Sequence, residues 1–410
     1  LGAGAALGDD VAGATKAALK TLLALLQALD ECDDAPRVVV ATRGAADDPS
    51  LDGVAASAPD AALASCAVWG MARSAAAEAP ERRFRLVDLC PCEPSRDRDA
   101  ACLLDELAAE TPASRAESAW RKRARKAPRL APLPVPRLLE AGPVVDADLA
   151  AGVHVVSGGT GGLGVEWAAK LAAAGGKAAT LVLASRRALS PELAAKLAKL
   201  ASDTGATVVV EQADVSLASG AEALLARGAA LKPTPATKLR VWHLAGVVDD
   251  GAAPALTWDR FAAVLGPKVD GSLHLHAASL KTPVDTFVLF SSIYGLLGSR
   301  ELTHYGAANA FQDGLAAARA RAGLPALAVS WGTWADAGMA HRFGSGFEAH
   351  VKSTGMRFVP LDGGFRALGA LARVADRRRC HAAVLPADWA QYAKRRGAAG
   401  PHPLAGRLAA

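Results

Sequence analysis

Aromatic residues are scarce in this chain: Trp, Tyr and Phe make up 5% of 410 residues. Nucleic-acid surfaces interleave basic side chains with aromatic ones. The basic run RKRARK (121–126) has no such interleaving and reads as a solvated surface segment. Excess charge is also lacking. Lys+Arg number 46 against 41 Asp+Glu, a net +5 that gives no reason to invoke nucleic acid and suits an acidic partner or a phosphorylated ligand. No apolar run approaches the roughly 18 residues of a membrane span, and no signal-peptide pattern is present, so no membrane association is expected. Cysteines are few: Cys32, Cys66, Cys90, Cys92, Cys102 and Cys380. Cys90-Pro91-Cys92 is too tight for the usual metal spacing and has no second pair, so no metal is expected. All six read as reduced thiols of a cytoplasm-like compartment. The sequence opens on Leu1 and ends in GAAGPHPLAGRLAA, a linker-like stretch. The expectation is a piece of a longer cytoplasmic polypeptide, with any targeting signal outside it.

What is abundant is alanine, in a chain that is 51% hydrophobic and 21% charged. That composition is globular and favours helices packed closely on sheets. In RLAPLPVPRLLEAGP (129–143), Pro132, Pro134, Pro136 and Pro143 interrupt any helix or central strand, which marks a boundary. Residues 1–142 and 143–396 are the two expected units, and 397–410 a C-terminal linker. In the first unit the helical patterns at 15–31 and 61–78 precede two apolar strands, VVVAT (38–42) and FRLVDL (84–89). Neither strand is followed by a Gly-rich turn. In the second, VHVVSG, TLVLAS, TVVVEQ, RVWHLAG, TFVLFSS and ALAVSWG alternate with helical stretches, and HAAVLP (381–386) is a seventh run. This is the signature of an α/β fold with a doubly wound parallel sheet.

The first strand of that sheet runs into GGTGGLG (158–164) and then a helix. Gly158, Gly162 and Gly164 let a turn close and let backbone N–H groups approach a pyrophosphate; Thr160, Gly161 and Leu163 belong to the same turn. The second strand ends in Ser185-Arg186-Arg187. An NAD enzyme would place a carboxylate here, whereas basic residues accommodate the 2′-phosphate of NADPH. Asp214-Val215, after the third strand, stands where such folds contact the adenine.

Hydride transfer to a ketone leaves an alkoxide that needs a proton donor. Tyr305 can donate, and Ser292 ends the strand TFVLFSS thirteen residues earlier. Asn309 lies one helical turn beyond Tyr305, on the same face. A cation near the phenol would lower its pKa, but none stands at that position.

The motifs GGTGGLG, SRR, HLAGVVDDG, PKVDGSLHLH, FVLFSS, YGAAN and SWGTWADAGMA, in this order, resemble the ketoreductases of modular polyketide synthases, a branch of the short-chain dehydrogenase/reductase superfamily. The resemblance covers nearly the whole chain. It implies an N-terminal structural subdomain, a truncated Rossmann-like unit without a cofactor site, here matched by AVWGMARSAAAE and RLVDL. A catalytic Rossmann-like subdomain follows it. It implies a tetrad of Tyr305 as proton donor, Ser292 as carbonyl binder, Lys268 in GPKVDGS as the cation, and Asn309 positioning Lys268 and a water relay. The implied activity is NADPH-dependent reduction of a β-ketoacyl thioester, carried on the phosphopantetheine of an acyl carrier protein, beside other domains of one megasynthase.

Val248-Asp249-Asp250 stands where the family's B-type branch has Leu-Asp-Asp. Leu297 replaces the Trp of A-type enzymes, and Ala307 replaces the Pro of an epimer-processing variant. The resemblance therefore implies a B1-type reductase giving the D (3R) alcohol. The loop before the tyrosine departs from the usual GSPGQANY: it reads GSRELTHY, with Arg300 and Glu301 for Pro and Gly and His304 for Asn. His304 is expected to pack rather than act as a second acid. His274-x-His276 lies in a helical stretch without further metal-ligand spacing. Residues 334–360 are expected to form a lid over the cofactor, with two readings open for Met339 and Phe343: contact with the acyl chain, or ordinary packing within the lid. Two other readings remain: a free-standing short-chain reductase, and a reduction-incompetent scaffold domain of a megasynthase. Cofactor binding separates the scaffold from the others.

Overall fold

In the first unit, helix α1 (Val11–Asp30) starts where the Asp10 carboxylate accepts from the Gly13 N–H, and it buries Leu19, Leu22, Leu23 and Leu26 at helical spacing. There follow β1 (Val39–Arg43), α2 (Pro59–Glu78), β2 (Arg85–Leu89), α3 (Arg96–Ala108), β3 (Glu117–Arg121) and β4 (Ala124–Lys126). The strands lie in the order β1-β2-β3-β4, parallel except for the last pair. The computed structural model describes residues 7, 10–46, 59–91, 95–108, 116–121, 124–133, 143–335, 344–376 and 379–395. Cys92, Met339, Phe343, most of the proline-rich boundary and the expected linker 397–410 lie outside them.

The two apolar runs are β1 and β2. Strands β3 and β4 carry no apolar signature, because β3 turns Glu117 and Arg121 inward. The reading of RKRARK as a solvated segment is corrected at Arg121 and Arg125, whereas Ala124 and Lys126 are exposed and Lys122 and Arg123 lie outside the described residues. Arg121 is 3% exposed and pairs with Asp88 at 2.7 Å, and Arg125 pairs with Glu106 at 2.7 Å. Asp88 also accounts for the missing phosphate site. Its buried carboxylate accepts from the Ala45 and Ala46 N–H groups at 2.8 and 3.1 Å and from Thr42 Oγ1 at 2.9 Å, just past β1. Backbone N–H groups in such a turn are what a nucleotide-binding sheet offers to phosphate. Here a carboxylate of the chain takes them.

The second unit comprises β5 (Gly152–Ser157), α4 (Gly162–Gly175), β6 (Ala179–Ser185), α5 (Pro191–Thr204), β7 (Thr207–Gln212), α6 (Ala218–Ala230), β8 (Leu239–His243), α7 (Trp258–Leu265) and α8 (Gly271–Lys281). It continues with β9 (Thr286–Ser292), α9 (Ile293–Leu297), α10 (Thr303–Arg321), β10 (Leu327–Trp331), α11 (Gly344–Ser353), α12 (Leu361–Val374), β11 (His381–Val384) and α13 (Trp389–Arg395). The seven apolar runs are seven parallel strands in the order β11-β10-β9-β8-β5-β6-β7, with β11 on one edge. Strands β5, β8 and β10 are buried at every position, which is why they are mostly apolar, with His154, Ser157, Arg240, His243 and Ser330 as buried polar exceptions. After β7 the chain crosses back to lay β8 beside β5, so a crevice opens at the C-terminal ends of those two strands.

Helix α10 is buried on nearly every face, and its small residues make that possible. A Cβ on Gly70 would lie 2.3 Å from the Gly306 carbonyl oxygen, and one on Gly306 would lie 2.7 Å from that of Gly70. Helix α2 of the first unit is thereby in backbone contact with the helix that carries Tyr305 and Asn309.

Candidate active site

The Gly-rich turn sits at the β5/β8 crevice. Gly158 has φ +67°, and a Cβ there would meet the Ala245 backbone nitrogen at 2.8 Å. A Cβ on Gly164 would lie 2.3 Å from the Gly158 carbonyl oxygen. Such backbone neighbours cannot yield, so the turn keeps this shape only with glycine at positions 158 and 164. What remains is an open cradle at the N-terminus of α4, where N–H groups and the helix dipole favour an anion. The cradle belongs to a cavity of about 570 Å³. Every cofactor position expected from sequence lines it, from Gly158 through the Ser185-Arg186-Arg187 rim to Asp214 and Val215. Arg186 and Arg187 are exposed, and the Ser185 hydroxyl donates to the Arg187 carbonyl at 2.6 Å, shaping the rim. Asp214 accepts from the Ser216 N–H at 2.9 Å and so spends one oxygen on its own turn. The cradle, the basic rim and the cavity fit a dinucleotide carrying an extra phosphate.

The reactive groups come from three elements beside this cavity. Lys268 lies in a π-helical turn, Gly266–Asp270, and is 3% exposed. Its Nζ donates to the Phe290 carbonyl at 2.7 Å and to Gln312 Oε1 at 3.1 Å, and it sits 5.8 Å from the Tyr305 ring centre. Ser292, at the end of β9, caps α9 by accepting from the Tyr294 N–H at 3.3 Å. Tyr305, 7% exposed, lies in the first turn of α10. Burial pushes its phenol up to about 12, only partly offset by hydrogen bonds with Ser292 and Asn309. Burial pushes the Lys268 ammonium down to about 7, with Asp313 pulling the other way.

Lys268, Ser292, Tyr305 and Asn309 thus converge. No direct hydrogen bond joins Asn309 to Lys268 among the described residues: the Asn309 amide nitrogen donates to the Tyr305 carbonyl at 2.7 Å. The side chain that holds Lys268 is Gln312, whose own amide nitrogen donates to Ser272 Oγ at 3.0 Å. Sequence reasoning missed Gln312, although it stands seven residues after Tyr305 and so on the same helical face.

Val248, Asp249 and Asp250 follow β8 on the loop bordering the crevice. Asp249 pairs in both oxygens with Arg260, at 2.8 Å each, which lowers its pKa and makes it a brace for this loop. Leu297 is buried at the end of α9, and Ala307 is buried in α10. Met339 is outside the described residues. His304 has no exposed surface, packs on Phe261 with ring centres 5.6 Å apart, and is pushed down to about 4 by burial. It is neutral at pH 7 and a poor second acid there. His276 Nδ1 is bonded to Arg319 at 2.8 Å and His274 Nδ1 to the Val215 carbonyl at 3.2 Å. No described helix is long and apolar enough to cross a membrane.

Comparison with known proteins points in one direction. Residues 152–336 match the family model described as KR domain, and residues 2–130 match that of the polyketide synthase extender module SpnB, Rossmann fold domain. Polyketide synthase GfsA of Streptomyces halstedii is 35% identical over 393 residues, which is 95% of this chain and 5% of that protein. Erythronolide synthase EryA3 of Saccharopolyspora erythraea is 34% identical over 343 residues, 83% of this chain and 10% of that protein. The chain therefore spans a small part of the length of the curated relatives it matches. Among solved structures, an A-type ketoreductase from a modular polyketide synthase superposes with a TM-score of 0.75 at 31% identity, covering 95% of this chain and 77% of that one. The first ketoreductase of the tylosin synthase gives 0.76 at 31% identity, covering 95% and 80%.

Proposed function

This chain belongs to the ketoreductase domains of modular polyketide synthases, and from that membership we propose that it uses NADPH to reduce a β-ketoacyl thioester, held on an acyl carrier protein, to the D (3R) β-hydroxyacyl thioester. Ketoreductases of this family are oxidoreductases, and its relatives are parts of multidomain synthases, so other domains of one polypeptide are the expected partners. In this reading residues 1–142 are a structural subdomain, 143–396 carry the chemistry, and 397–410 are a linker.

The observation that carries the reading is the convergence of Lys268, Ser292 and Tyr305 beside a cavity lined by a glycine-rich cradle and two arginines. The Gly158–Gly164 turn with Arg186 and Arg187 would hold NADPH, which would supply the hydride for the ketone carbon. Ser292 and Tyr305 donate hydrogen bonds to the ketone oxygen and orient it. As negative charge develops on that oxygen, the Tyr305 O–H bond breaks and the alcohol O–H forms. Lys268 steadies the resulting phenolate, and Gln312 with the Phe290 carbonyl keeps the lysine in place. A phenol pushed up to about 12 stays protonated at pH 7, the form that reduction requires.

Two measurements test this reading. Replacing both Arg186 and Arg187 by Ala is expected to raise the KM for NADPH roughly tenfold or more while leaving the weaker use of NADH nearly unchanged, because only the 2′-phosphate loses its partners. Equal losses with both cofactors would contradict the assignment. Chiral chromatography of the reduced thioester is expected to return the 3R alcohol. The Asp249–Asp250 loop and the lack of Trp at Leu297 support that outcome, and a predominantly 3S product would overturn it.

A further inference from the structure

Two loops, Asp249–Ala253 after β8 and Ser299–Leu302 before Tyr305, are joined by a backbone bond and bridged by one carboxylate from the other unit. Glu78, at the C-terminal end of α2, accepts from the Glu301 N–H through Oε1 at 2.8 Å and from the Ala253 N–H through Oε2 at 3.0 Å. The Glu301 carbonyl in turn accepts from the Gly251 N–H at 2.9 Å, closing a ring of backbone bonds between the loops. One turn earlier on α2, Ser74 Oγ accepts from the Ser299 N–H at 3.2 Å, and Arg73 donates to the Gly295 carbonyl at 2.9 Å while pairing with Glu117. Gln27 of α1 donates to the Leu256 and Ala253 carbonyls at 2.9 and 3.3 Å. Glu301 sits at φ +63°, a left-handed conformation that glycine adopts freely and glutamate does not. A residue persists there only where its surroundings over-determine it, and here the surroundings are Glu78 and Gly251.

We propose that Glu78 is a positioning residue for the substrate: by tying the Asp249–Ala253 loop to the Ser299–Leu302 loop, it sets the width of the groove that orients the β-ketoacyl chain before hydride transfer. This role rests on the reductase reading and adds to it a specificity determinant supplied by the non-catalytic unit. Glu78 touches neither the reacting groups nor the cofactor cavity, so its loss alters orientation rather than chemistry.

The test compares the full chain with Glu78→Ala and Glu78→Gln. Gln keeps one accepting oxygen and the length of the side chain, and serves as the conservative variant if Ala fails to fold. NADPH affinity, kcat, KM for a β-ketoacyl N-acetylcysteamine thioester, the ratio of the two alcohol products, and amide exchange over 249–253 and 298–302 are read for each. Glu78→Ala is expected to raise KM and erode the product ratio by about five- to tenfold, with NADPH affinity unchanged and faster exchange in both loops; Gln falls between. Adding Glu301→Gly, which removes the need for an enforced left-handed residue, recovers part of the ratio. An active parent whose product ratio and KM ignore residue 78, even with a lowered melting temperature, overturns the proposal and leaves Glu78 a structural residue only. A parent that binds NADPH and reduces nothing overturns the reductase reading and this role with it, which is a separate result.

Discussion

Tyr305→Phe is expected to lower kcat for ketone reduction by about a thousandfold, within the range general acids contribute, while changing NADPH affinity by less than about twofold. The phenyl ring keeps the packing of Tyr305, which is 7% exposed in α10. Only the hydroxyl is lost, and with it the single proton donor that the described residues place beside both Lys268 and Ser292. Ser292 still donates a hydrogen bond to the ketone oxygen, so ground-state binding and KM change little. His304, next in sequence, cannot substitute, because burial pushes it down to about 4 and it is neutral at pH 7. Single-turnover kinetics with saturating NADPH separates the outcomes. A kcat that survives within a few-fold would move the proton donor elsewhere.

Lys268→Met is expected to abolish reduction and yet to raise the stability of the cofactor-free chain near neutral pH. Two magnitudes decide the sign. A lysine pushed from 10.5 down to about 7 has a charged form that costs about 4 to 5 kcal/mol more in the fold than the neutral form. Removing it leaves two acceptors, the Phe290 carbonyl and Gln312 Oε1, without their donor, at a cost of about 1 kcal/mol each or somewhat more. The penalty exceeds the loss, so a net gain of about 2 kcal/mol is expected near pH 6. The sign against pH follows from linkage. Because the folded pKa lies below the unfolded one, the unfolded chain binds more protons between about 7 and 10.5, and wild-type stability rises across that window. The advantage of Met is therefore full below about pH 7 and shrinks as pH rises toward 10. Thermal unfolding of both proteins over this range measures it, and a variant that unfolds earlier at every pH would show that the lysine's two bonds outweigh its burial.

The seven-stranded sheet was legible because parallel strands covered on both faces are mostly apolar, so VHVVS and LAVSW announce themselves although His154, Ser157 and Ser330 interrupt them. The cradle was legible because backbone neighbours at 2.3–2.8 Å leave no side chain possible at Gly158 and Gly164. The rest was hidden for identifiable reasons. Strand β3 faces the interior with Glu117 and Arg121, whose burial depends on partners, Arg73 and Asp88, far away in sequence. The grip on Lys268 comes from Gln312, an amide among many, and not from the Asn309 that the resemblance implied. Glu78 meets Ala253 and Glu301 across separations of 175 and 223 residues, which no local pattern reports.

The measurement closest to the central claim is hydride tracing. The chain is incubated with NADPH carrying deuterium at both C4 positions of the nicotinamide ring and a β-ketoacyl thioester, and the alcohol is examined by mass spectrometry and NMR. The account predicts one deuterium on the carbon that was the β-ketone, and almost none when Tyr305→Phe is used in its place. An alcohol that carries no deuterium, or a chain that binds the labelled cofactor and leaves the ketone untouched, would contradict it.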